Sequence, residues 1–278
     1  MKKRFFNIRF LFFVLIIFSL RIFSQIPATT YDGKKVILYS NNYWENAENK
    51  NELSYYYPAL NKNDYLIQHH YYSLVYDTLH FLAKWTIYEL KKEYLQSKVA
   101  ERKNKFQADP YLPQLTQLDF VYKNSGYDKG HLVPAADMTF SELAMNESFY
   151  YTNVAPQLPS FNRGIWKKLE EQVRAWAMKH NNLIVLSGAF ISDTLQKLSK
   201  VSVPYYFYKI IAMITPSQTQ MIAFIIPNEK SFLPLKHCVV SVDSIEKVTH
   251  INFFPSLNDN VEEQVEKKVD INFWWDER

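Results

Sequence analysis

Residues 65–76 (Tyr65-Leu66-Ile67-Gln68-His69-His70-Tyr71-Tyr72-Ser73-Leu74-Val75-Tyr76) and 84–90 (Lys84-Trp85-Thr86-Ile87-Tyr88-Glu89-Leu90) concentrate β-branched and aromatic side chains. That composition suits a pleated, half-buried surface and predicts two early strands joined by a polar turn at Asp77-Thr78. Apolar runs at 183–186, 205–214 and 221–226 predict three more strands, the last closed by Pro227-Asn228. Ile165, Leu169, Val173 and Trp176 recur at helical spacing and predict a helix from Gly164 to about Lys179, with Asn162 at its N-cap. Residues 109–134 carry Pro110, Pro113, Pro134 and Gly126 and read as loop. Short helices are predicted around 233–238 and 242–247. No repeat or low-complexity run interrupts the pattern. One mixed α/β (α+β) domain over residues 61–260 is the simplest account. An Asn-rich arm over 25–60 precedes it, and a charged C-terminal tail over 261–278 follows.

Composition changes this picture little. Hydrophobic residues make up 47% and charged residues 22% of 278, which excludes a disordered chain. Aromatics reach 17%; stacking on bases is one use for them, but filling the core is the commoner one. The N-terminus changes it more. Lys2, Lys3, Arg4 and Arg9 lead into the apolar run 10–20, and Ser24 offers a small residue for cleavage. A basic head, a short apolar middle and a small exit residue predict a signal peptide over 1–24. The protein is therefore expected to be secreted or periplasmic; an uncleaved membrane anchor is the alternative, and the long apolar run disfavours a mitochondrial address. Without those 24 residues, 27 basic side chains face 28 acidic ones. A polyanion would then have to be held by a local patch and not by overall charge. Cys238 is the single cysteine, so no internal disulfide and no CxxC metal site exist. Beside Val239-Val240 it reads as a small buried hydrophobe.

Two segments carry candidate chemistry. In Tyr127-Asp128-Lys129-Gly130-His131-Leu132-Val133-Pro134, the glycine permits close backbone approach and Asp128 lies within reach to orient His131. Thirty-one residues on comes Asn162-Arg163-Gly164-Ile165-Trp166-Lys167-Lys168-Leu169-Glu170. On a continuous helix Asn162 and Glu170 differ by about 80° and ~12 Å of rise, so they should not share one coordination shell. Glu170 is then suited to hold a metal-bound water while Asn162 touches the metal. One neutral amide ligand implies a hard divalent ion that keeps most of its waters, as Mg2+ does. Taken separately, a lone histidine, an N-cap asparagine and a helix glutamate are more often structural.

Together the two segments resemble the DNA/RNA non-specific endonuclease family, the endonuclease G-like ββα-metal nucleases. That family's signature is Asp-Arg-Gly-His followed about thirty residues later by an Asn…Glu helix. Asp128-Lys129-Gly130-His131 matches except at Lys129, and Tyr150-Tyr151-Thr152-Asn153-Val154-Ala155-Pro156-Gln157 resembles the stretch before the helix. Further blocks extend the likeness over roughly residues 65–257, including Ser187-Gly188, Val203-Pro204-Tyr205-Tyr206-Phe207-Tyr208-Lys209 and Ala223-Phe224-Ile225-Ile226-Pro227-Asn228. The resemblance implies a largely antiparallel sheet flanked by helices around a ββα-metal motif. It implies catalysis by His131 as general base, Glu170, Arg102 and Lys129, with Asn162 as metal ligand. It also implies that Lys129, Arg102 and Asn153 contact or support the substrate. The cofactor implied is Mg2+, with Mn2+ as alternative, and the partners are DNA and RNA as substrates. A homodimer is compatible with it, and no stable protein partner is expected. Lysine at 129 keeps the charge but not the planar fork that grips two phosphate oxygens, so reduced activity or altered preference is expected.

Two readings from other classes compete. A nucleic-acid-binding protein weakened in catalysis would share the fold, though His131, Asn162 and Glu170 are all present. A serine hydrolase built on Ser187 lacks the Gly-x-Ser-x-Gly elbow.

Overall fold

Alternating side chains on extended segments give this chain two buried sheet faces, and both must be covered. The computed structural model describes residues 25–30, 35–39, 44–46, 53–103 and 105–275; the predicted signal peptide over 1–24 lies outside them. The chain divides into two units, 1–52 and 53–278. In the first, β1 (Gln25–Thr29), β2 (Lys35–Tyr39) and β3 (Trp44–Asn46) form an antiparallel sheet in that order, where an irregular arm was expected.

The second unit runs β4 (Tyr65–Gln68), β5 (Tyr72–Asp77), β6 (Leu82–Lys91), α1 (Lys92–Gln96), α2 (Asp119–Tyr122), β7 (Asp128–His131), α3 (Glu142–Ser148) and β8 (Val154–Gln157). Then come α4 (Lys167–His180), β9 (Asn182–Ala189), β10 (Lys197–Leu198), β11 (Val201–Ser202), β12 (Tyr206–Ile214), β13 (Thr219–Pro227) and β14 (Val239–Val240). Three helices close it: α5 (Val242–Thr249), α6 (Asp259–Lys267) and α7 (Ile271–Trp275). Seven strands form one sheet in the order β14-β13-β12-β9-β6-β5-β4, with every pairing antiparallel. The expected mixed α+β fold with a largely antiparallel sheet is what forms.

On β12, Phe207, Ile211 and Met213 face one core while Tyr208, Ile210 and Ala212 face the other. Ile165, Leu169, Val173 and Trp176 cover the first face, as their spacing predicted. Burying Leu169 or Val173 stabilises by roughly 1.5–3 kcal/mol each. Val242, Ile245, Phe253 and Phe254 cover the second face.

Three expectations are corrected. The run 65–76 is not one strand but the hairpin β4–β5, broken where His69 turns inward to Asp109 (Nε2–Oδ2 2.9 Å) and His70 pairs with Glu147. The loop-like stretch 109–134 contains β7, which pairs with β8 so that His131 faces Val154 and Asp128 faces Gln157. The charged tail folds into α6 and α7, because Trp274, 1% exposed, packs edge-on against Trp176 at 5.0 Å. Most of the charges of α6 stay exposed, while Glu266 is buried.

Candidate active site

β7, β8 and the helix that follows form a ββα unit, and its first strand delivers His131. The side chain of Asn153 fixes the chain just beyond. Its Oδ1 accepts from Val133 N (2.8 Å), and its Nδ2 donates to the carbonyls of Val133 (2.9 Å) and Ser148 (2.8 Å). Asn153 is fully buried with its amide committed to backbone, so it positions the histidine strand and does not reach substrate. The substrate contact expected of it is corrected on that ground. Gly130 is needed for a local reason: a Cβ there would lie 2.1 Å from Cδ of the buried Gln157.

The His131 ring is held between Phe106 (centroids 5.1 Å apart) and Phe149 (4.9 Å). Its Nε2 is buried and has no hydrogen-bond partner. Burial, and secondarily the charge of Arg102, push its pKa down to about 3. The imidazole is therefore neutral at ordinary pH.

Asp128 does something other than orient His131. Its Oδ2 accepts from Asn162 Nδ2 (2.9 Å) and Arg163 Nε (2.8 Å), and its Oδ1 from Arg163 Nη2 (2.6 Å). These contacts hold its carboxyl below the usual range against the effect of burial. They also tie the histidine strand to the helix segment and fix which end of the Asn162 amide faces Asp128. The oxygen, the atom a hard cation takes, is the other end. Asn162 is not an N-cap: it lies inside a wide π-type turn, Phe161–Trp166, that follows Ser160 and is kinked at Gly164 (φ −104, ψ −111). The 80° and 12 Å relation to Glu170 assumed a continuous helix and does not apply across this kink. Single π-type turns of this kind recur at functional sites.

Glu170 is half-buried on the first turn of α4. Burial raises its pKa, opposed by Lys209, Arg174 and Arg102. Arg102, exposed and over the Phe149 ring at 5.9 Å, thus acts electrostatically on both His131 and Glu170. Its neighbour Lys103 is committed elsewhere, to Glu142 (2.7 Å) and Asn146 (3.3 Å). Lys129 spans the rings of Phe106 (5.0 Å) and Tyr151 (5.2 Å) and pairs with Asp119 Oδ1 at 2.7 Å.

Beneath the site lies a buried polar network that the sequence reading did not assign. Lys209, fully buried on β12, donates to Ser187 Oγ and to the carbonyl of Leu132 (3.5 Å), and sits 4.7 Å from the Trp166 ring. It joins the residue after His131 to the turn between Asn162 and Glu170. Asp137 accepts from Arg174 (2.9 Å) and Tyr88 (2.6 Å) alongside. A lone lysine in the apolar run 205–214, and Arg174 four residues after Glu170, were the available signals. Ser187 is fully buried in mid-strand, which excludes the serine-hydrolase alternative.

With its Nδ2 spent on Asp128, Asn162 has its amide oxygen left as a ligand of the kind a hard cation takes. Among the described residues, the one cluster of three acidic groups with metal-like spacing is elsewhere, on α5 and α6. The site thus offers few protein ligands, as suits an ion that retains its hydration.

Comparison with known proteins agrees with this geometry. A sequence profile of the DNA/RNA non-specific endonuclease family matches residues 49–260. A protein named Nuclease from Nostoc sp. is 30% identical over 223 residues, covering 76% of this chain and 81% of its own. Mitochondrial endonuclease G from Homo sapiens is 28% identical over 204 residues, covering 67% and 68%. The crystal structure of an EndoG/EndoGI complex, described as revealing the mechanism of EndoG inhibition, aligns with TM-score 0.65 and 28% identity. It covers 75% of this chain and 92% of the other.

Proposed function

The chain belongs to the DNA/RNA non-specific endonuclease family and is a nuclease, and on that premise we propose that it is an exported, Mg2+-dependent enzyme cutting both DNA and RNA without reading sequence. The observation that carries this reading is the buried, unpartnered Nε2 of neutral His131 on a strand tied through Asp128 to Asn162. His131 takes a proton from the attacking water. Asn162 would hold the cation through its amide oxygen, and Glu170 a water on it; when bound, Mg2+ supplies stabilisation of charge on the phosphate and the leaving oxygen. Arg102 contacts a phosphate oxygen. Lys129 makes a less directional contact than arginine would. DNA and RNA fit equally, since none of these groups needs to read a base edge.

Export rests on the basic-apolar pattern of residues 1–24. The pairing of Lys129 with Asp119 favours one second reading, a nucleic-acid-binding protein with weakened catalysis, because the carboxylate competes for the lysine that would grip phosphate. One experiment separates the two. Residues 25–278 are incubated with supercoiled plasmid, linear DNA and RNA across a Mg2+ and Mn2+ series, with and without chelator. Cleavage of all three that stops with chelator supports the proposal; binding without cleavage supports the alternative.

A further inference from the structure

Asp243 and Glu246 lie on α5, whose N-terminus is capped by Ser241, and Glu266 lies near the end of α6. Ligand oxygens of the three carboxylates lie within 4.8 Å of one another. Glu246 spends Oε1 on the backbone N–H of Phe253 (2.7 Å), which fixes the direction of its carboxylate. Glu266 is only 4% exposed, and its Oε1 is buried with no hydrogen-bond partner. A buried carboxylate oxygen without a donor, facing two more carboxylates, is an arrangement that calls for a positive charge. The neighbouring Lys267 does not supply it directly, since its ammonium is bonded to Glu263.

We propose that Asp243, Glu246 and Glu266 form a divalent-cation site that clamps α6 onto α5. Three carboxylates drawn from two helices make an all-oxygen ligand set, which suits Ca2+, an ion that accepts variable geometry, better than Mg2+, which demands an octahedron. The site is separate from the nuclease centre: α5 packs on the sheet face opposite α4. Its consequence is structural. α6 leads into α7, whose Trp274 packs on Trp176 of α4, so the clamp would secure the C-terminal segment that closes the first core.

The test uses full-length protein stripped with chelator, its melting followed during titration with CaCl2 alone. Wild type is compared with Glu266→Gln, with the more accessible Asp243→Asn, and with Asn162→Ala, which removes the proposed catalytic ligand. At a hundredfold excess over Kd, Ca2+ should raise the melting temperature by about 5–10 °C in wild type and Asn162→Ala. Glu266→Gln and Asp243→Asn should lose that rise while retaining Mg2+-dependent cleavage. The proposal is overturned if wild type does not respond, if all four proteins respond alike, or if Asn162→Ala alone loses the response. It is equally overturned if Glu266→Gln melts higher than wild type and Ca2+ changes nothing, because Glu266 is then a protonated buried acid.

Discussion

At the scale of single residues, the site depends on carboxylates that hold other groups in place. Asp128 is not assigned to the reacting atoms, yet it carries the contact between the histidine strand and the turn that holds Asn162. Asp128→Ala should raise the Mg2+ concentration for half-maximal cleavage about 10- to 100-fold, the usual cost of losing such a support. An unchanged Mg2+ curve would show that Asn162 needs no partner. Lys129 is the second case, held between two rings and Asp119. Lys129→Ala should depress cleavage and lower the salt slope of DNA binding by roughly one, whereas Lys129→Arg should preserve or raise activity. Equal rates and slopes in wild type and Lys129→Ala would make it an ordinary surface lysine paired with Asp119.

At the scale of elements, packing explains why the signature segment tolerates no side chain at Gly130. A methyl group there would meet the side chain of Gln157, which is fully buried. Gly130→Ala should therefore cost about 1–3 kcal/mol in urea unfolding, and Gln157→Ala should relieve part of that cost in the double variant. Strict additivity of the two would mean that the strands separate to make room. The elements most legible in the sequence were those with a strong period or composition: β6, β9, β12, β13 and the covering helix. Less legible was β7, because Asp128-Lys129-Gly130-His131 lacks strand-forming residues and is extended only through its pairing with β8. The hairpin at His69 depends on Asp109, forty residues away, and the π-type turn at Asn162 follows from a kink at Gly164; neither leaves a periodic trace. Of the candidate site, His131, Glu170 and Arg102 were named from sequence and are linked electrostatically in the structure. Lys209 was not singled out, since its role depends on which face of β12 it occupies.

At the scale of the whole molecule, burying a neutral histidine ties stability to pH. His131 resists protonation down to about pH 3 when folded, while an unfolded histidine protonates near 6.5. Between those values the unfolded chain binds more protons, so this contribution falls as the pH is lowered through that window. By pH 5 the loss should reach about 2 kcal/mol, on the order of 1.4 kcal/mol per pH unit below 6.5. Any stability deficit of His131→Leu relative to wild type should shrink by that amount between pH 7.5 and 5, measured by urea unfolding without divalent ions. A constant difference across the range would mean that the imidazole is solvated in the folded chain. The C-terminal segment belongs to the same whole: read as a charged tail, it instead completes a core through Trp274, a contact that charge patterning hides.

If His131 is the proton acceptor proposed for this nuclease, the single-turnover rate of plasmid cleavage by His131→Ala at saturating Mg2+ shows it most directly. A loss of at least about a hundredfold is expected, with DNA affinity and the folded state unchanged. A near-normal rate in that variant would contradict it.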